Sequence, residues 1–168
     1  RHPKIGLVPP GKFIPAAEIS GLIVSIGDWV LRESCRQNRA WQDAGLPSIS
    51  IAVNISSLQF RGGQLEANVR SALDDTGMSA ECLELELTEG ILMGGASETV
   101  ETLKRLSEMG VKLAIDDFGT GYSSLSYLKR FPIDKLKIDQ SFVRDIVSDL
   151  DDLAIANAVI SMGHSLRM

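Results

Sequence analysis

The sequence predicts an α/β fold in which parallel strands are joined by crossover helices. Three observations carry this reading. Strand-like and helix-like runs alternate along the whole chain, and the polar residues that close successive strands, Asn54, Glu86 and Asp116, recur at about 30-residue intervals, the size of one strand–helix unit. The third observation is side-chain parity. Each strand has one apolar face, while Asn54, Glu86, Asp116 and Lys137 fall on the other. Strands buried on both faces read as continuously apolar, so these strands keep one face for another use.

Taken in order, Arg1–Pro10 is basic and proline-rich, has no helix start, and reads as the tail of an element that begins earlier. Phe13–Ser20 suits a short helix after Pro15. Gly21–Trp41 suits a longer one, with Ile23, Ile26, Trp29, Val30 and Leu31 on its buried side. Gly45–Pro47 breaks it, and Ser48–Ile55 is the first clear strand. A helix over about Gln64–Asp75 carries Leu65, Val69 and Leu73 at helical spacing and stops at Gly77. Cys82–Thr88 is the second strand, with three leucines on one face and Glu84 and Glu86 on the other. Ser97–Met109 is a helix with Ser97 as a cap and Gly110 as its stop. The third strand, Val111–Asp116, leads through a glycine loop to a short helix, Tyr122–Lys129. Asp134–Asp139 is the fourth strand, with Lys135, Lys137 and Asp139 on one face. Helical segments over Gln140–Ser148 and Leu150–Leu166 follow. No linker or low-complexity segment divides residues 1–168, which read as one domain.

Composition narrows the function. At 44% hydrophobic residues the chain can bury a real core, and a net charge of −5 disfavours a nucleic-acid polymer or an anionic membrane surface as partner. The longest apolar stretch, Gly21–Ile26, is far too short to span a bilayer, and nothing at the start reads as a signal peptide. Cys35 and Cys82 fit buried thiols of a cytosolic protein. His2 and His164 lie near the two ends, which disfavours a histidine-based metal site.

The most informative stretch is Lys112–Ser124, K-L-A-I-D-D-F-G-T-G-Y-S-S. A buried strand ends in two adjacent carboxylates, Asp116 and Asp117, before a loop with Gly119 and Gly121. Such a pair is relieved by a divalent cation or by protonating one member. A capped turn, with Asp117 accepting backbone N–H groups, is the structural alternative. Four successive strands with polar groups near their carboxyl ends, where α/β proteins build their sites, favour a site.

These residues match a known pattern. The chain resembles the EAL-type cyclic di-GMP phosphodiesterase domain over essentially its whole length. The resemblance rests on F-I-P-A-A-E-I-S-G-L-I (Phe13–Ile23), V-N-I-S-S-L-Q-F (Val53–Phe60), L-E-L-T-E (Leu85–Glu89), D-D-F-G-T-G-Y-S-S (Asp116–Ser124) and F-P-I-D-K-L-K-I-D (Phe131–Asp139). It implies a TIM-like (β/α) barrel of the EAL type that hydrolyses cyclic di-GMP to linear pGpG with two Mg²⁺ or Mn²⁺ ions, Ca²⁺ being inhibitory. By position, Asn54, Glu86 and Asp116 resemble ligands of one metal. Asp116 would bridge to a second, also held by Asp117. Lys137 resembles the lysine that positions the attacking water, so that Lys137, Asp116 and Asp117 form the catalytic set. Asp139 and the loop residues Gly119, Thr120 and Gly121 are assigned to the bound cofactor or substrate, and Glu89 to bracing that loop.

The departures are as specific. The family's Glu-Ala-Leu motif lies upstream of Arg1-His2-Pro3, and its downstream glutamate strand and last strand have no counterpart after His164-Ser165-Leu166. Gly90 stands where serine is common. The chain therefore reads as a partial barrel of about four strand–helix units, truncated at both ends, where the whole barrel needs about 250 residues. The expected protein is a bacterial cytoplasmic phosphodiesterase, or the cytosolic part of a membrane-anchored parent, with an upstream sensory or GGDEF-type domain. This segment alone is expected to be inactive and to form a homodimer that covers its open edges. A catalytically inactive cyclic di-GMP-binding or protein-interaction module is the competing reading, but retention of Asn54, Glu86, Asp116, Asp117 and Lys137 together favours the enzyme.

Overall fold

The computed structural model describes residues 2–93, 97–121 and 128–168, without the side chain of Met93. Two helices, α1 (Pro10–Ile19) and α2 (Leu22–Asp43), precede β1 (Ile51–Ile55). Two more, α3 (Ser57–Arg61) and α4 (Leu65–Thr76), lead to β2 (Leu83–Thr88), and α5 (Glu89–Met93) and α6 (Ser97–Glu108) to β3 (Lys112–Phe118). The chain ends with β4 (Lys135–Ile138), α7 (Ser141–Arg144) and α8 (Leu150–Leu166). The strands form one parallel sheet in the order β1-β2-β3-β4. This is the sequential arc of strands that a barrel of this type uses.

The apolar parity predicted from sequence builds the core. Val53, Ile55, Leu83, Leu85, Leu87, Leu113 and Ile115 are all 3% exposed or less and join Leu31, Val69, Leu103 and Leu106 from the helices. α2 packs on β1, α6 on β3 and α8 on β4. Each such fully buried Leu or Ile contributes about 1.5–3 kcal/mol relative to exposure, so this face alone fixes which way the strands turn. α4 stops where Gly77 takes a left-handed φ of 65°, as the sequence predicts.

Several boundaries differ from the sequence reading. α1 starts three residues early, because Pro10 suits the first helical turn, and it continues through Pro15. α2 buries Ile23, Gly27, Leu31, Cys35 and Asn38, a stripe at helical spacing that leaves Trp29 on the opposite face, 65% exposed. The helix expected over Gln140–Ser148 stops at Arg144 and gives way to turns. α3 and α5 were not foreseen. Ser56 caps α3, its Oγ accepting from the Gln59 N–H at 3.2 Å, and the S-x-x-Q spacing in the sequence carries that signal. Cys35 is buried as expected and Cys82 only partly, and both are free thiols. The helix expected over Tyr122–Lys129 lies largely outside the described residues.

Candidate active site

The inner face of the sheet holds Asn54, Glu84, Glu86, Ala114, Asp116, Lys135 and Lys137. Register fixes their heights. Asn54 on β1 is level with Glu86 on β2, Glu86 with Ala114 on β3, and Ala114 with Lys135 on β4. Asp116 sits one inward step further along and is level with Thr88. The carboxylates therefore climb toward the carboxyl ends of the strands.

A β-bulge shapes the top of the site. Ile115 pairs with Leu136 and Phe118 with Ile138, so that Asp116 and Asp117 together face the single residue Lys137. Asp117 takes a left-handed φ of 53°, uncommon outside glycine but tolerated by aspartate. The extra residue also resets the alternation: Phe118, rather than Asp117, returns to the core and is 5% exposed. β3 consequently runs to Phe118 instead of ending at Asp116. Strict alternation would have turned Asp117 toward the helices, where a carboxylate has no partner.

Glu86 is 5% exposed, and its Oε1 accepts a hydrogen bond from Lys137 Nζ at 2.6 Å. The same ammonium lies 3.7 Å from Asp116 Oδ1, so one cation bridges two carboxylates on different strands. The hydrogen bond to Glu86 holds the Lys137 pKa above the usual lysine range. One level below, Lys135 Nζ donates to Glu84 Oε2. Glu84 is 7% exposed and tolerates that burial because it is paired.

The carboxyl groups of Asp117 and Asp139 influence each other. Desolvation, then the neighbouring Asp139 carboxyl and the charge of Asp116, push the Asp117 pKa above the ordinary carboxylate value. Asp139 moves the other way, held low by hydrogen bonds from Ser141, whose backbone N–H donates to Oδ1 at 2.8 Å.

The loop that follows is braced from below. Glu89, the first residue of α5, is 5% exposed, and its Oε2 accepts from the Gly121 N–H at 3.2 Å. A Cβ at Gly121 would lie 2.8 Å from Glu89 Oε1, and one at Gly119 (φ 105°) would lie 3.0 Å from the Phe142 ring. Thr120 Oγ1 donates to the Asp117 carbonyl at 2.9 Å. Gly119, Thr120 and Gly121 therefore tie the bulge to α5 and α7, while Tyr122 and Ser123 lie outside the described residues.

Asn54 is the exception among the expected residues. It is level with Glu86 but exposed, on the β1 edge of the sheet. Among the described residues no three Asp, Glu, His or Cys side chains gather around one point as a ready metal cage. The donors nevertheless suit a hard divalent cation, since Asn54, Glu86, Asp116 and Asp117 offer only oxygen ligands, and the Lys137 ammonium shows that two of these carboxylates already converge on a positive charge. Glu84 and Lys135 are the site-facing residues that the sequence reading left without a role, although their parity placed them on this face.

The fold and site together define a parallel β/α barrel segment with a carboxylate-rich inner face at the carboxyl ends of its strands. The family model for the EAL domain matches residues 1–168, and the chain belongs to that family. It is 49% identical over 167 residues to the bifunctional diguanylate cyclase/cyclic di-GMP phosphodiesterase MucR of Pseudomonas aeruginosa, covering 99% of this chain and 24% of that protein. It is 46% identical over 168 residues to the cyclic di-GMP phosphodiesterase NbdA of the same organism, covering 100% of this chain and 22% of that one. The chain thus spans under a quarter of the length of either relative. Among solved structures, the PaMucR phosphodiesterase in complex with c-di-GMP superposes with a TM-score of 0.95 at 49% identity, covering 99% of this chain and 68% of that one. Among the described residues, no helix is long and apolar enough to cross a membrane.

Proposed function

We propose that this chain is the part of a cyclic di-GMP phosphodiesterase domain that supplies most of its metal-binding carboxylates, and that the domain hydrolyses cyclic di-GMP to linear pGpG. The observation that carries this is the bulge on β3, which sets Asp116 and Asp117 beside Glu86 and opposite Lys137 in one inward-facing cluster. Asn54, Glu86, Asp116 and Asp117 would hold Mg²⁺ or Mn²⁺, which when bound lowers the pKa of a water and neutralises phosphate charge. Lys137, anchored on Glu86, presents its ammonium to the same space and orients the water and the phosphate oxygens. Asp139, fixed by Ser141, faces Asp117 from the end of β4 and contacts the substrate side. Glu89 holds the Gly121 amide and with it the loop between β3 and β4. The remaining strands of the barrel, from regions of an EAL domain without counterpart in this chain, would pair with the free edges of β1 and β4 and complete the ligand set. A second copy of the chain is the other cover for those edges, and sedimentation distinguishes the two.

The test is hydrolysis of cyclic di-GMP by the full-length protein that carries this chain, followed by separation of pGpG, with Mg²⁺ or Mn²⁺ supplied. Turnover that disappears on chelation and returns with the metal is the expected result. Tight binding of the dinucleotide without any hydrolysis would instead make the protein a binding module. Absence of both binding and hydrolysis would overturn the proposal.

A further inference from the structure

The two ion pairs on the inner face share an unusual path. Glu84 and Glu86 are on β2, and Lys135 and Lys137 are on β4, but these strands are not neighbours: β3 runs between them. Adjacent strands are about 4.8 Å apart, so each pair bridges about 10 Å of sheet. A lysine and a glutamate can cover that span only by lying over the inner face of β3. The residue beneath them is Ala114, level with Glu86 on one side and Lys135 on the other. Ala114 is 0% exposed, and both ion pairs link residues on either side of it.

We infer that Ala114 is a positioning residue: its single methyl is the gap through which Lys135 and Lys137 cross β3 to reach Glu84 and Glu86. A larger side chain at this inward position stands in the path of both stems. Lys137 would then lose Glu86 and with it the placement between Glu86 and Asp116, while Glu84 would be left buried without its cation. Strand propensity argues the opposite way, since valine suits a parallel strand better than alanine does. Damage from Ala114→Val is therefore not a backbone effect. Only the crossing lysines make the position intolerant.

The experiment uses the full-length protein and two readouts. The first is amine acylation at limiting reagent, read residue by residue by mass spectrometry, with exposed Lys12 as the internal standard. This readout needs no activity, so it stands apart from the phosphodiesterase reading on which the second depends. Lys137 is expected to label about tenfold more slowly than Lys12 in the parent, as befits an ammonium held in a charge-assisted hydrogen bond. Ala114→Ser should keep that protection, and Ala114→Val and Ala114→Leu should remove most of it at Lys137 and Lys135 together. The second readout is kcat for cyclic di-GMP. Ala114→Val should lower it about tenfold or more, the scale of one lost charge-assisted hydrogen bond, with little change in KM. In a Lys137→Met background the same substitution should cost almost nothing, because the residue through which Ala114 acts is already gone. Should the leucine variant fail to fold, the valine and serine variants still decide the matter. Undiminished lysine protection in Ala114→Val, or an equal loss of kcat in both backgrounds, would overturn the inference.

Discussion

Two polar clusters in this chain are each knit across several elements and differ in charge. Between α2, α3 and α4, Asp28 Oδ1 accepts from Asn68 Nδ2 at 2.9 Å and from Gln59 Nε2 at 3.4 Å, and Gln59 is 4% exposed. One carboxylate is met there by two neutral amides, and the cluster joins three helices. On the inner face of the sheet, Glu84, Glu86 and Asp116 are met by Lys135 and Lys137, and Asp139 beside Asp117 feels the charge of Arg144. The first holds a single carboxylate whose oxygen is met by two amides, whereas the second gathers five carboxylates around fewer cations. Burial of polar groups does not by itself mark a site, since every buried side-chain nitrogen or oxygen among the described residues has a partner. What marks the site is a surplus of charge held where an outside cation can reach it.

The sharpest way to break this comparison is to neutralise one carboxylate in the surplus cluster. Asp116→Asn should lower cyclic di-GMP hydrolysis by the full-length protein roughly a hundredfold or more, as expected when a group that places a metal is removed. Its thermal midpoint should hardly move, because Asp116 is only loosely engaged with Lys137. A collapse of stability in place of activity would put the inner cluster in the same structural class as the Asp28 cluster.

The reciprocal change is Gly27→Ala. The added Cβ would lie 2.1 Å from Gln59 Oε1 and drive that buried amide off Asp28. Leaving buried polar groups unsatisfied costs about 1–3 kcal/mol each, which denaturant unfolding would read directly. The rate per folded molecule should be unchanged.

Asp117→Asn should separate the two roles within one residue. The raised pKa of Asp117 means that its ionised form is disfavoured by the metal-free fold. As pH rises from the unfolded-chain value toward the raised folded one, the unfolded state loses its proton first, so stability falls across that interval. Asparagine removes this penalty and accepts the left-handed backbone. The metal-free variant should therefore melt slightly higher than the parent at neutral pH, while Mn²⁺ affinity measured by calorimetry drops. A lower melting point would show that the carboxylate pair stabilises the fold, contrary to the comparison.

The smallest effect concerns the helical layer. Burial raises the Cys35 thiol to about 11, and the side chain is fully buried. Cys82 is partly exposed, and its sulfur lies 3.1 Å from Ser48 Oγ. A thiol reagent at neutral pH should modify Cys82 first and Cys35 only after unfolding. Equal reactivity of the two in native protein would show that the α2 layer opens readily.

The sequence by itself determined the order and spacing of the strands, the apolar face of each, and which residues point inward. Those properties follow from chain-local rules: a two-residue alternation along a strand, glycine stops such as Gly77, and the size of a crossover unit. Membership of the EAL family was equally legible, because D-D-F-G-T-G and K-L-K-I-D are specific strings. Tertiary structure alone decided what alternation cannot express. The bulge at Asp116 and Asp117 depends on how β3 pairs with β4, and it brings Phe118 to the core in defiance of strict parity. The crossing of Lys135 and Lys137 over Ala114 depends on a strand order in which β3 separates lysine from glutamate. Trp29 is apolar enough to belong to a core, yet the packing of α2 on β1 selects the Ile23–Gly27–Leu31 stripe and leaves it outside. In each case the deciding quantity is a distance between residues far apart in the chain, which local pattern does not contain.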